Sequence, residues 1–260
     1  MARRRFYAKP DDIQSPVVNL SADETHHLIH VLRMTPGDQA FVFDGCGREY
    51  KCSFRTIVNN RAQLEVLDEI SGAVESPLDV TLAQAMTKGE KFDFIVQKAT
   101  ELGVSRIAPL LTRHAEVRFD EQQAERRVER WRRISLEALK QCGRRKLVQI
   151  APPRTLREFL DQNVSPGTPE SASHSMLLSF SERGGMAVAD ALAGILNQGS
   201  IVALIGPEGG WSDDELELLR QRGSKAITLG PRVLRTETAA LVALALIQHE
   251  IGDLSVKGTG

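Results

Sequence analysis

Two hydrophobic rhythms divide the chain. Up to about residue 72, apolar positions fall in short alternating runs over 39–43, 49–57 and 62–67, separated by Asp44-Gly45-Cys46-Gly47 and Asn59-Asn60. Period-two runs broken by Gly and Asn predict half-buried strands, so this part reads as a small β-rich module. One short helix interrupts it. Ser21 is placed to cap its first free NH groups, Glu24 to reach back, and Leu28, Val31 and Leu32 to form the apolar stripe before Gly37-Asp38 ends the segment.

Beyond a small polar stretch at 70–77, continuous apolar runs alternate with amphipathic ones. Strands are expected over 78–84, 107–111, 147–150, 176–180, 201–205 and 226–229, and helices over 92–102, 121–141, 156–162, 188–197, 213–221 and 238–251. That alternation predicts an α/β domain with a mostly parallel sheet covered on both faces. The Ser-, Pro-, Gly- and Thr-rich stretch 165–175 is expected to be a flexible insertion. The expected organisation is a first domain over 1–72, a second over 73–254, and a flexible tail over 255–260.

Composition adds limits. With 260 residues, 42% hydrophobic and 26% charged, the chain has the make-up of an ordinary globular protein. Its longest apolar stretch, 239–248, is about half of the ~20 residues needed to span a bilayer, and residues 1–6 lack a signal-peptide core, so a cytoplasmic protein is expected. Three cysteines without a CxxC pair fit free thiols, and no metal is expected: His26 and His30 share a helical face but lack a third ligand.

Net charge is −1, yet the signs are segregated. Arg3, Arg4, Arg5 and Lys9 stand among the first ten residues without an acid, and residues 106–146 carry twelve Lys/Arg against six Asp/Glu. Arg126, Arg130, Arg133, Lys140 and Arg144 recur at spacings of 4, 3, 7 and 4, which places them on one helical face. Such a stripe is either a solvated face or a contact for RNA phosphates. Arg3 to Arg5 beside Phe6 and Tyr7 offer backbone contacts and a stacking face, or form a frayed basic terminus.

The candidate chemistry sits in two glycine turns. Gly206-Pro207-Glu208-Gly209-Gly210 ends one apolar strand, with Ser212 and Glu215 forming a capping box for the helix after it. Leu229-Gly230-Pro231-Arg232-Val233-Leu234-Arg235-Thr236-Glu237 ends the next. Turns of this kind, at strand ends of an open α/β sheet, are where ligands bind. The first lacks both a GK[ST] ending and GxGxxG spacing, and Pro207 removes one NH that an anion would use, so a ligand read by main-chain groups, such as adenine, fits better than a phosphate. Each turn alone also reads as a plain strand-to-helix connection, with Glu208 solvated and Arg235 paired to Glu237.

The ordered set Arg4-Arg5-Phe6-Tyr7, His26-His27-Leu28, Val31-Leu32-Arg33 with Gly37-Asp38, Lys98-Ala99-Thr100-Glu101-Leu102-Gly103-Val104 and the two glycine turns resembles the ribosomal RNA small subunit methyltransferase E family, from about residue 4 to residue 251. The resemblance implies an N-terminal PUA-like β-barrel that binds RNA and a C-terminal SPOUT domain with a trefoil knot. It implies a homodimer, S-adenosyl-L-methionine as cofactor, and methylation of N3 of uridine-1498 in the decoding region of 16S rRNA, within the assembled small subunit. Three loops would hold the donor: Leu178, Ser179 and Phe180; Ile205, Gly206, Pro207, Glu208, Gly209 and Gly210; and Leu229, Gly230, Val233 and Leu234. Arg235 would stabilise charge on the uridine, and Glu237 or Glu208 would serve as base, or solvent would take the proton. Arg3, Arg4, Arg5, Arg33, Arg126, Arg130, Arg133 and Arg144 would contact RNA. Rival readings are an RNA-binding module without catalysis, another RNA base methyltransferase of the SPOUT class, and a Rossmann-type nucleotide enzyme, the last disfavoured by the missing fingerprint.

Overall fold

The computed structural model describes residues 3–72, 75–115, 120–163, 175–193 and 200–254. They form two compact units: Met1–Glu75 with Leu136–Leu147, and Ser76–Ser135 with Val148–Gly260. The stretch 165–175, apart from Ser175, and the tail 255–260 lie outside the described residues.

The first unit is built on a six-stranded sheet. Its strands are β1 (Arg5–Tyr7), β2 (Ile13–Gln14), β3 (Val17–Asn19), β4 (Gln39–Phe43), β5 (Glu49–Val58) and β6 (Arg61–Glu69), in the order β1-β4-β5-β6-β3-β2. Only β1 and β4 pair in parallel, with Phe6 opposite Val42. Ala40 and Val42, Cys52 and Phe54, and Ala62 and Leu64 alternate inward to form the core with Phe6, Val18 and Leu20. The sheet curls, with register shifts along β5 and β6, and no β1–β2 pair closes it among the described residues.

Strands β1, β2 and β3 escape the sequence pattern because two or three residues are too short to show a period. Helix α1 (Ala22–His26) begins at Ser21, whose Oγ accepts from the Glu24 NH at 3.2 Å. The Glu24 carboxylate does not reach back as expected; it turns to Lys140 Nζ, 2.5 Å away. A wider helical turn over His27–Val31 follows, and it leaves Val31 59% exposed while Leu28 is fully buried. The predicted stripe is therefore carried by Leu28 without Val31.

The second unit holds a seven-stranded parallel sheet. Its strands are β7 (Asp79–Ala85), β8 (Arg106–Leu111), β9 (Gln149–Ile150), β10 (Arg154–Thr155), β11 (Met176–Phe180), β12 (Ser200–Ile205) and β13 (Lys225–Ile227). The order is β10-β8-β7-β12-β11-β13, with β9 also on β8, and every pair is parallel. Alternate residues face opposite ways: Ile201, Ala203 and Ile205 join one core, and Val202 and Leu204 the other. The first core is covered by α2 (Lys91–Glu101), α5 (Val188–Leu192), α7 (Thr236–Ile251) and Val128 and Trp131 of α3 (Glu121–Cys142). The second is covered by α4 (Leu156–Asn163), α6 (Asp213–Gln221) and Trp211. Two buried faces explain why these strands read as continuous apolar runs. No described helix is long and apolar enough to cross a membrane.

Candidate functional site

The strand ends of the second unit form one cleft that encloses about 200 Å3 and opens to solvent. Three segments line it: Phe180, Ser181 and Glu182 after β11; residues 205–211 after β12; and Leu229, Gly230, Arg232, Val233, Leu234, Thr236 and Ala239 after β13. Both glycine turns thus meet in one place, as a parallel sheet demands of connections leaving neighbouring carboxyl ends. Gly230 makes the second turn at φ +100°, and a Cβ there would meet no protein atom within 4 Å.

Of the expected donor residues, Phe180, Ile205, Gly206, Pro207, Glu208, Gly209, Gly210, Leu229, Gly230, Val233 and Leu234 line the cleft. Leu178 and Ser179 do not. Both are buried within β11, where Ser179 Oγ donates to the Lys225 carbonyl at 3.4 Å. The cleft begins only where the strand ends, which shifts the first segment toward Ser181 and Glu182.

A buried polar chain fixes the floor. Gln84 at the end of β7, fully buried, donates from Nε2 to Thr236 Oγ1 at 3.0 Å and to the Ala85 carbonyl at 3.0 Å. Thr236 Oγ1 donates in turn to the Gly206 carbonyl at 2.7 Å. Trp211 Nε1 donates to the Phe180 carbonyl at 3.0 Å, and His114 Nδ1 lies 3.1 Å from the Gly210 carbonyl. The expected Ser212–Glu215 capping box is present and anchors the start of α6. The sequence pattern places Thr236 in the second glycine turn but does not single out Gln84, Trp211 or His114. The one signal for them is a glutamine at the end of the strand run 78–84.

The charged rim stands beside the second glycine turn. Arg235 is the N-cap of α7 and makes no side-chain cap bond. Glu237 is partly buried, and its Oε2 has no hydrogen-bond partner among the described residues. No Arg235–Glu237 ion pair forms among the described residues, so Arg235 caps α7 through its backbone alone. Glu208 accepts from Lys91 Nζ at 2.8 Å. Burial raises the Glu208 carboxyl, but the hydrogen bond and charge of Lys91 outweigh it and hold the group below the usual carboxylate range. The Lys91 ammonium is raised by that bond, and it also feels Glu237 and Arg235, so the four charges share one neighbourhood.

The cleft walls are apolar at Phe180, Ile205, Trp211, Leu229 and Leu234, with glycine-rich backbone between them and Arg232 as the single cation on the lining. Such walls suit an uncharged ring read by main-chain groups; a polyphosphate would need more cations. S-adenosyl-L-methionine fits this donor set, through adenine against the walls and glycine backbone. No grouping of His, Cys, Asp and Glu able to hold a metal occurs among the described residues.

Comparison with known proteins adds the decisive observation. Residues 74–248 match the RNA methyltransferase domain family, and residues 20–67 match the RNA methyltransferase PUA domain family. Ribosomal RNA small subunit methyltransferase E of Synechocystis is 35% identical over 247 residues, covering 94% of this chain and 76% of that protein. The Bacillus subtilis protein of the same name is 30% identical over 243 residues, 91% of each chain. The chain belongs to the ribosomal RNA small subunit methyltransferase E family. A solved family member, from Neisseria gonorrhoeae and bound to S-adenosyl methionine, superposes with a TM-score of 0.85 at 34% identity, covering 97% of this chain and all of that one.

Within this family fold, the eight expected RNA-contacting arginines separate into two kinds. Arg5 is 6% exposed; its Nε donates to Glu49 Oε1 at 2.6 Å, and its other nitrogens donate to the carbonyls of Leu139, Lys140, Gly143 and Arg144 at 2.6–3.2 Å. Arg144 is 7% exposed and pairs with Glu75 at 2.8 Å. Both are removed from the RNA set, because burial turns their guanidinium groups to acceptors inside the protein. Phe6 is likewise buried, which removes it as a stacking face. Lys140, mostly buried between Glu24 and Glu137, also leaves the stripe. Accessible arginines remain at Arg3, stacked 4.8 Å over Phe41; Arg4, paired with Asp38 at 3.5 Å; Arg33; Arg126; Arg130, bonded to Asp93; and Arg133.

Proposed function

We propose that this chain transfers a methyl group from S-adenosyl-L-methionine to N3 of uridine-1498 in the decoding region of 16S rRNA. The observation that carries the reading is the meeting of three strand-end segments in one glycine-walled cleft of mixed apolar and polar lining, with Arg235 immediately after the last of them. Phe180, residues 205–210, and Leu229, Gly230, Val233 and Leu234 would hold the donor, with backbone groups reading its adenine. When bound, the donor supplies an electrophilic sulfonium methyl. The residues of the chain must then align the uridine and make its N3, a weakly acidic imide nitrogen, nucleophilic.

Arg235 supplies a fixed cation for the negative charge that spreads onto O2 and O4 as N3 loses its proton. Glu237, next to the lining residue Thr236, is the acceptor we assign to that proton, although Glu208 itself lines the cleft. Glu237 Oε2 lacks a partner, whereas Lys91 holds Glu208 ionised and so weakens it as a base. The accessible arginines Arg3, Arg4, Arg33, Arg126, Arg130 and Arg133 contact RNA phosphates. The family resemblance supports a cytoplasmic homodimer, a metal-free reaction and the assembled small subunit as substrate; sedimentation tests the dimer. We extend the same reading to a closed PUA-like barrel and a trefoil knot. The curl of the first sheet supports the barrel. For the knot, β13 ends at the sheet edge, yet α7, which begins at Thr236, packs against α2 and β12. A crystal structure whose backbone unties when pulled from its ends overturns the knot.

The test is methylation of small subunits from cells lacking the gene, with nucleoside mass spectrometry of the product. N3-methyluridine at that position is expected. Methyl transfer to another base points to a different SPOUT activity, and RNA binding without transfer to the rival module.

A further inference from the structure

One carboxylate in the cleft has no partner. Glu182 lines the wall where the chain leaves β11, and among the described residues it makes no hydrogen bond or ion pair. Its neighbour Arg183, the obvious counter-ion, is instead committed to Asp213. Across the cleft mouth the carboxylate presses on the first glycine turn: a Cβ at Gly210 would stand 2.7 Å from Glu182 Oε1. Gly210 itself has φ +71°, a conformation that strains any residue with a side chain, while Glu182 is exposed and free to swing. The acid stands beside the turn on the cleft lining, and its two oxygens are left for whatever enters.

We propose that Glu182 sets donor specificity by accepting hydrogen bonds from the vicinal 2′- and 3′-hydroxyls of a bound nucleoside's ribose. This rests on the reading of the cleft as the S-adenosyl-L-methionine site. The chemistry follows from the atoms. An ionised carboxylate offers two acceptor oxygens in one plane, and a cis-diol presents two donors side by side. An acidic residue at a strand end does this work for ribose in other open α/β sheets. The adjoining wall is apolar and backbone-lined, at Phe180 and Gly206 to Gly210, and suits the base attached to that sugar. A donor lacking a hydroxyl leaves one oxygen of Glu182 unsatisfied, which turns the interaction into discrimination.

The test measures binding of the demethylated product, S-adenosylhomocysteine, and of its 2′-deoxy analogue by calorimetry, with 5′-methylthioadenosine as a third ligand. Wild type, Glu182→Gln and Glu182→Ala are compared, with melting temperature as the folding control. Wild type is expected to prefer the ribose compound by about tenfold or more, the size of one hydrogen bond to a charged group. Glu182→Ala loses that factor toward the ribose compound and binds the deoxy analogue as wild type does, because the two changes remove the same interaction. Glu182→Gln, which keeps the shape and one acceptor, falls between.

An alanine variant that still prefers ribose overturns the proposal. So does a preference for S-adenosylhomocysteine over 5′-methylthioadenosine that disappears with the carboxylate, which places Glu182 on the ammonium of the amino-acid part. If wild type binds none of the three ligands, the donor reading fails and the proposal with it. Full binding by both variants removes Glu182 alone.

Discussion

Arginines gather at two places in this chain, and their surroundings turn them to opposite ends. In the first unit, Arg5 (side chain 4% exposed) meets Glu49 (2%), and Arg145 stands 3.3 Å from the same carboxylate. The terminal nitrogens of Arg5 are spent on carbonyls in the last turn of α3 and just past its end. Beside the cleft of the second unit, Arg235 caps α7 with its backbone alone and makes no side-chain cap bond. The same residue type serves as internal scaffold in one place and keeps its guanidinium out of the helix cap, at an exposed position, in the other. What separates them is the number of acceptors within reach in the folded chain, since guanidinium is charged in either setting.

The sharpest way to break this contrast is Arg5→Ala. It strips Glu49 of its closest partner and takes a donor from four carbonyls, of which Leu139 keeps the Gly143 NH, so urea unfolding should show a loss of about 3–5 kcal/mol, the usual cost of orphaning a buried charge. Arg5→Lys should recover little, because one ammonium cannot reach acceptors spread around a fork. Unchanged stability with weakened RNA binding would return Arg5 to the RNA surface. The matching change at the cleft, Arg235→Ala, should leave melting untouched and lower the single-turnover methylation rate by about 10²–10³, the size of one lost transition-state donor. Full transfer with donor affinity intact would remove Arg235 from the mechanism.

The parallel sheet and both glycine turns are legible in the sequence because strands buried on two faces must be apolar throughout, and because the turns interrupt those runs abruptly. Fold class and cleft position follow from that pattern. The fate of individual side chains does not. Arg3, Arg4 and Arg5 are chemically identical in the sequence, and only the placement of Glu49 and the end of α3 decides which one is buried. Leu178 and Ser179 fall short of the cleft because the pattern marks a strand but not the residue at which it ends. Glu182 belongs to no motif. It becomes visible only when its oxygens are found beside Gly210.

A smaller effect should come from Thr236, which stands between scaffold and site. Thr236→Val keeps the shape and removes both the bond to the Gly206 carbonyl and the acceptor for Gln84. The expected cost is about 1–3 kcal/mol in unfolding, for polar groups left unpaired in a buried setting. Because Gly206 lines the cleft, affinity for S-adenosylhomocysteine should fall as well, and Thr236→Ser should restore both. If Thr236→Val destabilises the fold while binding stays at the wild-type level, the polar chain supports the sheet only.

The smallest expected effect tests the contrast along a single helix and its exit. Arg126 and Arg133 are exposed on α3 and make no ion pair among the described residues, whereas Arg144, just past its end, is buried against Glu75. Replacing Arg126 and Arg133 together with Gln should leave stability within about 0.5 kcal/mol, as for surface changes generally. RNA affinity should fall uniformly across sequences, and the slope of log affinity against log salt should shrink by about 1 for each phosphate no longer neutralised. Arg144→Gln should do the reverse, costing stability while the folded protein keeps its full salt slope. If both variants leave the slope unchanged, the exposed arginines are a solvated face, and RNA recognition rests on Arg3, Arg4 and Arg33 of the first unit.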